Sequence, residues 1–194
     1  MQGIAFFHVI ILTMKKCAIF LAKGFEECEA LITVDVLRRA GLTIDMISME
    51  EECQVESSHG VFIVADKLWK EIDVVMYDAL ILPGGMPGTK HLGENEELTE
   101  ALLSANAEGK CLCAICAAPS IFGKLGILEG KKYTCLPGFE GDYGAKHLED
   151  KVVKDGSIIT AKGMGATIEF ASCIVETLVN KEKAEEIIRG IQYH

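Results

Sequence analysis

GKCLCAICAAPSIFG, residues 109–123, places three cysteines within six positions of an apolar run and then passes through two alanines and a proline into residues at helical spacing. A buried strand that stops at Cys116 and turns at once into a helix is the junction of a β/α unit, and small residues at the turn let the apical side chain project without a clash. The pattern repeats outward. Upstream, YDALILPGG (77–85) is a strand ending in glycines, followed by the helix ENEELTEALLSANAEGK (94–110) with acidic residues in its first turn. Near the start, the strand CAIFLA (17–22) leads into EALITVDVLRRAG (29–41), where Ala30, Leu31, Val34 and Leu37 recur at helical spacing before a terminating glycine. LTIDMIS (42–48) alternates as a strand, and CQVES and VFIVA flank Ser58, His59 and Gly60 as a hairpin or edge excursion. Beyond the quoted stretch, APSIFGKLGI (118–127) reads as a helix, KKYTC (131–135) and SIITA (157–161) as strands, and GATIEFASCIVETLV (165–179) and KEKAEEIIRGI (181–191) as two closing helices. This alternation predicts an α/β fold, a flavodoxin-like three-layer α/β/α sandwich with a mainly parallel central sheet.

The chain has 194 residues, of which 49% are hydrophobic and only 4 are proline, enough for one sizeable core. Its formal net charge of −10 carries no clustered Lys or Arg that would track phosphates, so no nucleic-acid partner is expected. The eight cysteines sit mostly in apolar runs, as Cys17, Cys111, Cys113 and Cys173 do, which reads as reduced core thiols in a cytoplasmic protein. Residues 1–13, MQGIAFFHVIILT, are an apolar N-terminal extension ahead of a single domain over 14–194. The apolar run is about half of the roughly 20 residues that cross a bilayer, so no membrane partner is expected. The arm is expected to pack on its own or a neighbouring subunit.

In such a sheet, functional groups gather at the carboxyl ends of the strands near the point where strand order reverses. Three motifs converge there: KGFEECEA (23–30), LPGGMPG (82–88) and AICAAP (114–119). At the helix N-terminus after Cys116, free amides and the dipole favour a thiolate, with a pKa lowered from about 8.5 into the range of roughly 3.5 to 7.5. Cys116 is therefore the reactive residue. Cys111 and Cys113 share a strand face, but no second CxxC or HxxxH supplies a metal-ligand set, so no metal is expected; inert core thiols are the plainer reading of these two. Paired glycines often only make a turn. Here Gly84 and Gly85 also let backbone N–H groups approach a ligand and, with the Ala117 amide, form an oxyanion-binding pocket. Glu29, just inside its helix, points across the crevice at the sulfur, and its semi-buried carboxyl has a raised pKa suited to moving protons. Glu26 is the alternative and Glu27 is read as solvated.

These motifs, with VDVLRRAG and VVKDGSIITAKGMGATIEFA at the intervening spacing, resemble the ThiJ/PfpI superfamily over about residues 15–190, in the branch of the human Parkinson-disease-associated deglycase/chaperone and bacterial YajL. The resemblance implies that Cys116 is an oxidation-sensitive nucleophile, that Glu29 is the protonated carboxyl bonded to it, and that Gly84, Gly85 and Ala117 form the amide pocket. It also implies a homodimer and cofactor-free chemistry on small dicarbonyls: glyoxalase or deglycase activity on methylglyoxal, glyoxal or their adducts. A redox-sensing stress-response or chaperone role, in which Cys116 is oxidised to the sulfinic acid without turnover, is the alternative. Leu136 stands before Pro137 where the human relative has a histidine, a departure in which the chain resembles YajL and which argues against a Cys–His pair and so against both a protease and efficient glyoxalase turnover. Met164 replaces a proline common in relatives. Of the five histidines, only His147 lies in a region placed to fold toward the pocket.

Overall fold

The computed structural model describes residues 15–194; the expectation for the arm over 1–13 lies outside them. In chain order the strands are β1 (Lys16–Leu21), β2 (Thr43–Ser48), β3 (Gln54–Glu56), β4 (Phe62–Val64), β5 (Lys67–Leu68), β6 (Ala79–Leu82), β7 (Cys111–Ile115), β8 (Lys132–Tyr133), β9 (Lys146–His147), β10 (Val152–Asp155) and β11 (Ile158–Ala161). The helices are α1 (Glu27–Arg39), α2 (Gly88–Glu94), α3 (Glu96–Ala107), α4 (Pro119–Lys124), α5 (Thr167–Leu178) and α6 (Lys181–Gly190).

Seven strands form the main sheet in the order β10-β11-β7-β6-β1-β2-β5. Every pairing is parallel except β10 with β11. The alternation of side chains along a strand sorts the core into two layers. Cys17, Ile19 and Leu21 of β1 face α1, α5 and α6 with Val34, Leu37, Phe170 and Ile174. Ala18 and Phe20 face the opposite layer with Leu98 and Leu102 of α3 and Phe122 of α4. This is the three-layer sandwich expected from the sequence. β1 is followed by β2 on one side, and the chain then crosses to β6 on the other, so the order reverses between β1 and β6. The carboxyl ends of β1, β6 and β7 meet at that reversal.

Several local readings change. CQVES and VFIVA do pair as a hairpin, but as a separate two-stranded sheet. The helix after Cys116 spans only six residues, Pro119–Lys124, because Gly126 takes a left-handed φ of +74° that ends it. KKYTC contributes only Lys132 and Tyr133 as strand, paired with β9 away from the main sheet. VVKD, unassigned from the sequence, closes the main sheet as the antiparallel edge β10.

Candidate active site

Cys116 stands one residue beyond β7 with φ at +65°, a left-handed conformation that costs a side-chain-bearing residue about 1–2 kcal/mol. Two backbone bonds from separate segments hold it there. Its N–H donates to the Ala161 carbonyl at 2.9 Å, and its own carbonyl accepts the Leu136 N–H at 2.8 Å. The side chain is 9% exposed. The sharp strand-to-helix turn read from the sequence is therefore present, and it is strained at its apex and clamped to β11 and to the segment after β8.

Glu29 arrives from the first β/α unit. The Glu26 side chain caps α1 by accepting the Glu29 N–H at 2.6 Å, which fixes the first helical turn and directs the Glu29 side chain into the interior, where the residue is 1% exposed. Glu29 Oε2 accepts the Gly84 N–H at 2.8 Å, and Oε1 is buried with no hydrogen-bond partner. The carboxyl and the sulfur are brought together across Gly84: a Cβ there would lie 2.7 Å from Glu29 Oε2 and 3.0 Å from Cys116 Sγ. Only glycine fits at that junction. Gly85 is glycine for a second reason, a φ of +90° together with a virtual Cβ 2.4 Å from the Glu26 nitrogen.

The placement revises three roles. The Gly84 N–H is taken up by Glu29, so Gly84 orients the acid instead of joining the amide pocket, which leaves Gly85 and Ala117 as the amides that favour the thiolate. The GG doublet in the sequence carried both jobs without distinguishing them. Glu26 is engaged as a helix cap. Glu27 is not simply solvated, because its Oε1 lies 3.0 Å from His59 Nδ1.

The electrostatics also differ from expectation. Burial first, then the Glu29 carboxyl beside it, push the Cys116 thiol up to about 12, against the pull of the Gly85 and Ala117 amides. A helix of six residues adds too little dipole to reverse this. Glu29 is itself pushed up to about 7, chiefly by burial, with the Gly84 N–H opposing and the Glu26 charge adding to the rise. Two acids in one dry site resist carrying two negative charges. When Glu29 holds a proton, its repulsion of a thiolate vanishes and its O–H becomes a donor to the sulfur. The reactive unit is the pair.

Leu136 packs its apolar side chain against the core cluster that includes Cys116 and Ala117, so that position supplies no imidazole. His147 stacks edge-on against Tyr133 at 5.3 Å and belongs with Cys135 and Glu140; it is not among the groups acting on the Cys116 thiol. Cys111 and Cys113 are buried with sulfurs 3.5 Å apart, and all eight cysteines are free. Beside the elbow, a groove of about 380 Å³ is walled by Met86, Thr89, Ser120, Ile121, Phe139 and Tyr143. No helix among the described residues is long and apolar enough to cross a membrane.

A strained cysteine at the strand-order reversal of a flavodoxin-like sheet, facing a buried acid from the first β/α unit, defines a class of α/β sandwich proteins organised around an elbow thiol. Within it, the chain belongs to the DJ-1/PfpI family, which it matches over residues 15–177. It is 40% identical over 176 residues to Protein DJ-1 homolog B of Arabidopsis thaliana, an alignment covering 89% of this chain and 40% of that protein, so it spans less than half of that relative's length. The Glutathione-independent glyoxalase DJR-1.2 of Caenorhabditis elegans is 35% identical over 169 residues, 86% of this chain and 89% of the relative. The structure of oxidized Toxoplasma gondii DJ-1 superposes with a TM-score of 0.88 at 36% identity, covering 92% of this chain and 98% of that one.

Proposed function

We propose that the protein is a cysteine-dependent, glyoxalase- or deglycase-like enzyme acting on small reactive dicarbonyls, methylglyoxal and glyoxal, or on their adducts. The observation that carries this reading is the convergence of the Glu29 carboxyl and the Cys116 sulfur within 3.0 Å of one point, the Gly84 α-carbon's open side, next to the Gly85 and Ala117 amides that favour the thiolate. Glu29 in its carboxylate form takes the Cys116 S–H proton as the sulfur attacks the aldehyde carbon of methylglyoxal, and the carbonyl π electrons become an oxyanion stabilised by the two amides. Glu29, with a pKa near 7, is matched to deliver a proton to that oxygen, remove the C–H proton of the hemithioacetal and return a proton to the neighbouring carbon. The resulting thioester is hydrolysed by water, releasing lactate and the thiol, so the net reaction is methylglyoxal plus water to lactate. The name of the nematode relative supports a reaction of this kind. A homodimer is part of the proposal.

Lactate formation from methylglyoxal is the test: the wild-type protein turns over, and Cys116→Ala and Glu29→Gln do not. Undiminished turnover in either variant overturns the mechanism. The same geometry supports a second reading, oxidation of Cys116 to a sulfinic acid held by Glu29 and the two amides. Intact mass after mild peroxide distinguishes it: selective addition of two oxygens, lost in Cys116→Ser, supports sensing, and uniform oxidation of the eight cysteines rejects it.

A further inference from the structure

Three side chains that the sequence spreads across a loop converge away from the elbow pair. The ligand atoms of Cys135, Glu140 and His147 all lie within 4.8 Å of one another. Cys135, just past β8, is a free thiol with no exposed surface. His147, on β9, has Nε2 buried without a hydrogen-bond partner, while its Nδ1 faces Glu149 Oε1 at 3.9 Å. Glu140 reaches in from the exposed side with its Oε2 steadied by the Gly138 N–H at 2.7 Å.

We propose that Cys135, Glu140 and His147 form a binding site for a zinc-class divalent transition-metal ion, distinct from the Cys116–Glu29 pair. The donor set is one sulfur, one imidazole nitrogen and one carboxylate oxygen, which suits a borderline-soft cation and disfavours magnesium or calcium. On binding, the Cys135 S–H bond gives way to an S–metal bond and the proton leaves to solvent. The thiolate and the Glu140 carboxylate then balance the two positive charges of the ion, so a charge-neutral unit replaces an orphaned nitrogen and a buried thiol. Tetrahedral coordination brings donor atoms to separations of about 3.3–3.6 Å. The required contraction falls on the exposed Glu140 loop, since Cys135 and His147 are fixed by the core and by the Tyr133 ring. Glu149 faces the other ring nitrogen and also pairs with Lys162, the arrangement in which a carboxylate orients a metal-bound histidine. Water takes the fourth position.

The ion would tie down two features of the neighbouring site. Leu136, the next residue after Cys135, donates the bond that clamps the Cys116 carbonyl. Glu140 also forms part of the groove wall.

The test begins with titration calorimetry of the chelator-stripped full chain with Zn2+ alone, then with Co2+ as a spectroscopic probe. One equivalent binds, and the Co2+ form shows a thiolate-to-metal charge-transfer band. The band persists in Cys116→Ser and is absent in Cys135→Ser, and affinity falls at least about tenfold in His147→Gln and in Glu140→Gln. If Cys135→Ser does not fold, the two polar variants carry the test. Absence of stoichiometric binding, a band unchanged in Cys135→Ser, unchanged affinity in both polar variants, or loss of the band in Cys116→Ser overturns the proposal.

Discussion

Replacing Glu29 by glutamine should change how stability depends on pH, and the size of the change follows from burial. The carboxyl pKa is raised from 4.5 to about 7 in the folded state, mainly because the residue is almost fully removed from water. Below pH 4.5 the folded and unfolded states both hold the proton, and the site imposes no penalty. Between 4.5 and 7 the unfolded chain releases it while the folded one keeps it, so stability falls as pH rises through this window and levels off above it. At about 1.4 kcal/mol per pH unit, that gap is worth about 3 kcal/mol. Urea denaturation of wild type and Glu29→Gln, at one fixed protein concentration and at several pH values from 4 to 8, measures it directly. The wild type should lose about 3 kcal/mol relative to the variant across the range, with unchanged m-values. Parallel stability curves for the two proteins would show that the carboxyl is not held protonated, and the paired-acid account of the site would fail with it.

Gly84→Ala places a methyl group 2.5 Å from the Cys116 Cβ, so it should cost about 1–3 kcal/mol in urea denaturation and abolish methylglyoxal turnover; a stable, active variant would contradict the close packing of acid and sulfur. Asn95 caps α3 by accepting the Leu98 N–H at 2.9 Å, and Asn95→Ala should lower stability by about 1 kcal/mol without altering turnover. Phe122, on the buried face of α4, has no exposed surface, and Phe122→Ala should cost about 3–5 kcal/mol by thermal or urea unfolding.

The elements legible in the sequence were those whose burial leaves a local periodic trace. β1, β6 and β7 are apolar runs bounded by turn residues, and α1 shows one apolar face ended by Gly41. β10 was not legible, because an edge strand of four residues with Lys154 exposed and Asp155 only half-buried carries no such trace and its pairing is fixed only by β11. At the site, Cys116 and Glu29 were readable from their places beside a strand end and a helix start. The division of labour between Gly84 and Gly85 was not, since it rests on one hydrogen bond spanning 55 residues of sequence. The direction of the thiol shift is hidden from the sequence for a related reason: local amides are visible in a motif, whereas the desolvation that outweighs them is assembled from the whole fold. Cys135, Glu140 and His147 have no recognisable spacing and meet only through the pairing of β8 with β9.

The two backbone bonds that grip Cys116 come from Ala161 at the end of a sheet strand and from Leu136. Ala161 lies outside the segments that wall the neighbouring groove, whereas Leu136 sits two residues before Gly138 and accepts the Phe139 N–H at 3.1 Å, so one grip and one wall share a loop. The sulfur therefore takes its coordinates partly from the sheet and partly from the loop that carries Phe139 and Tyr143. Substitutions on the helical walls of α2 and α4 can reshape the groove without touching either grip on the elbow, whereas an insertion in the 136–143 loop moves wall and warhead together, so engineering of substrate choice belongs on the helical side.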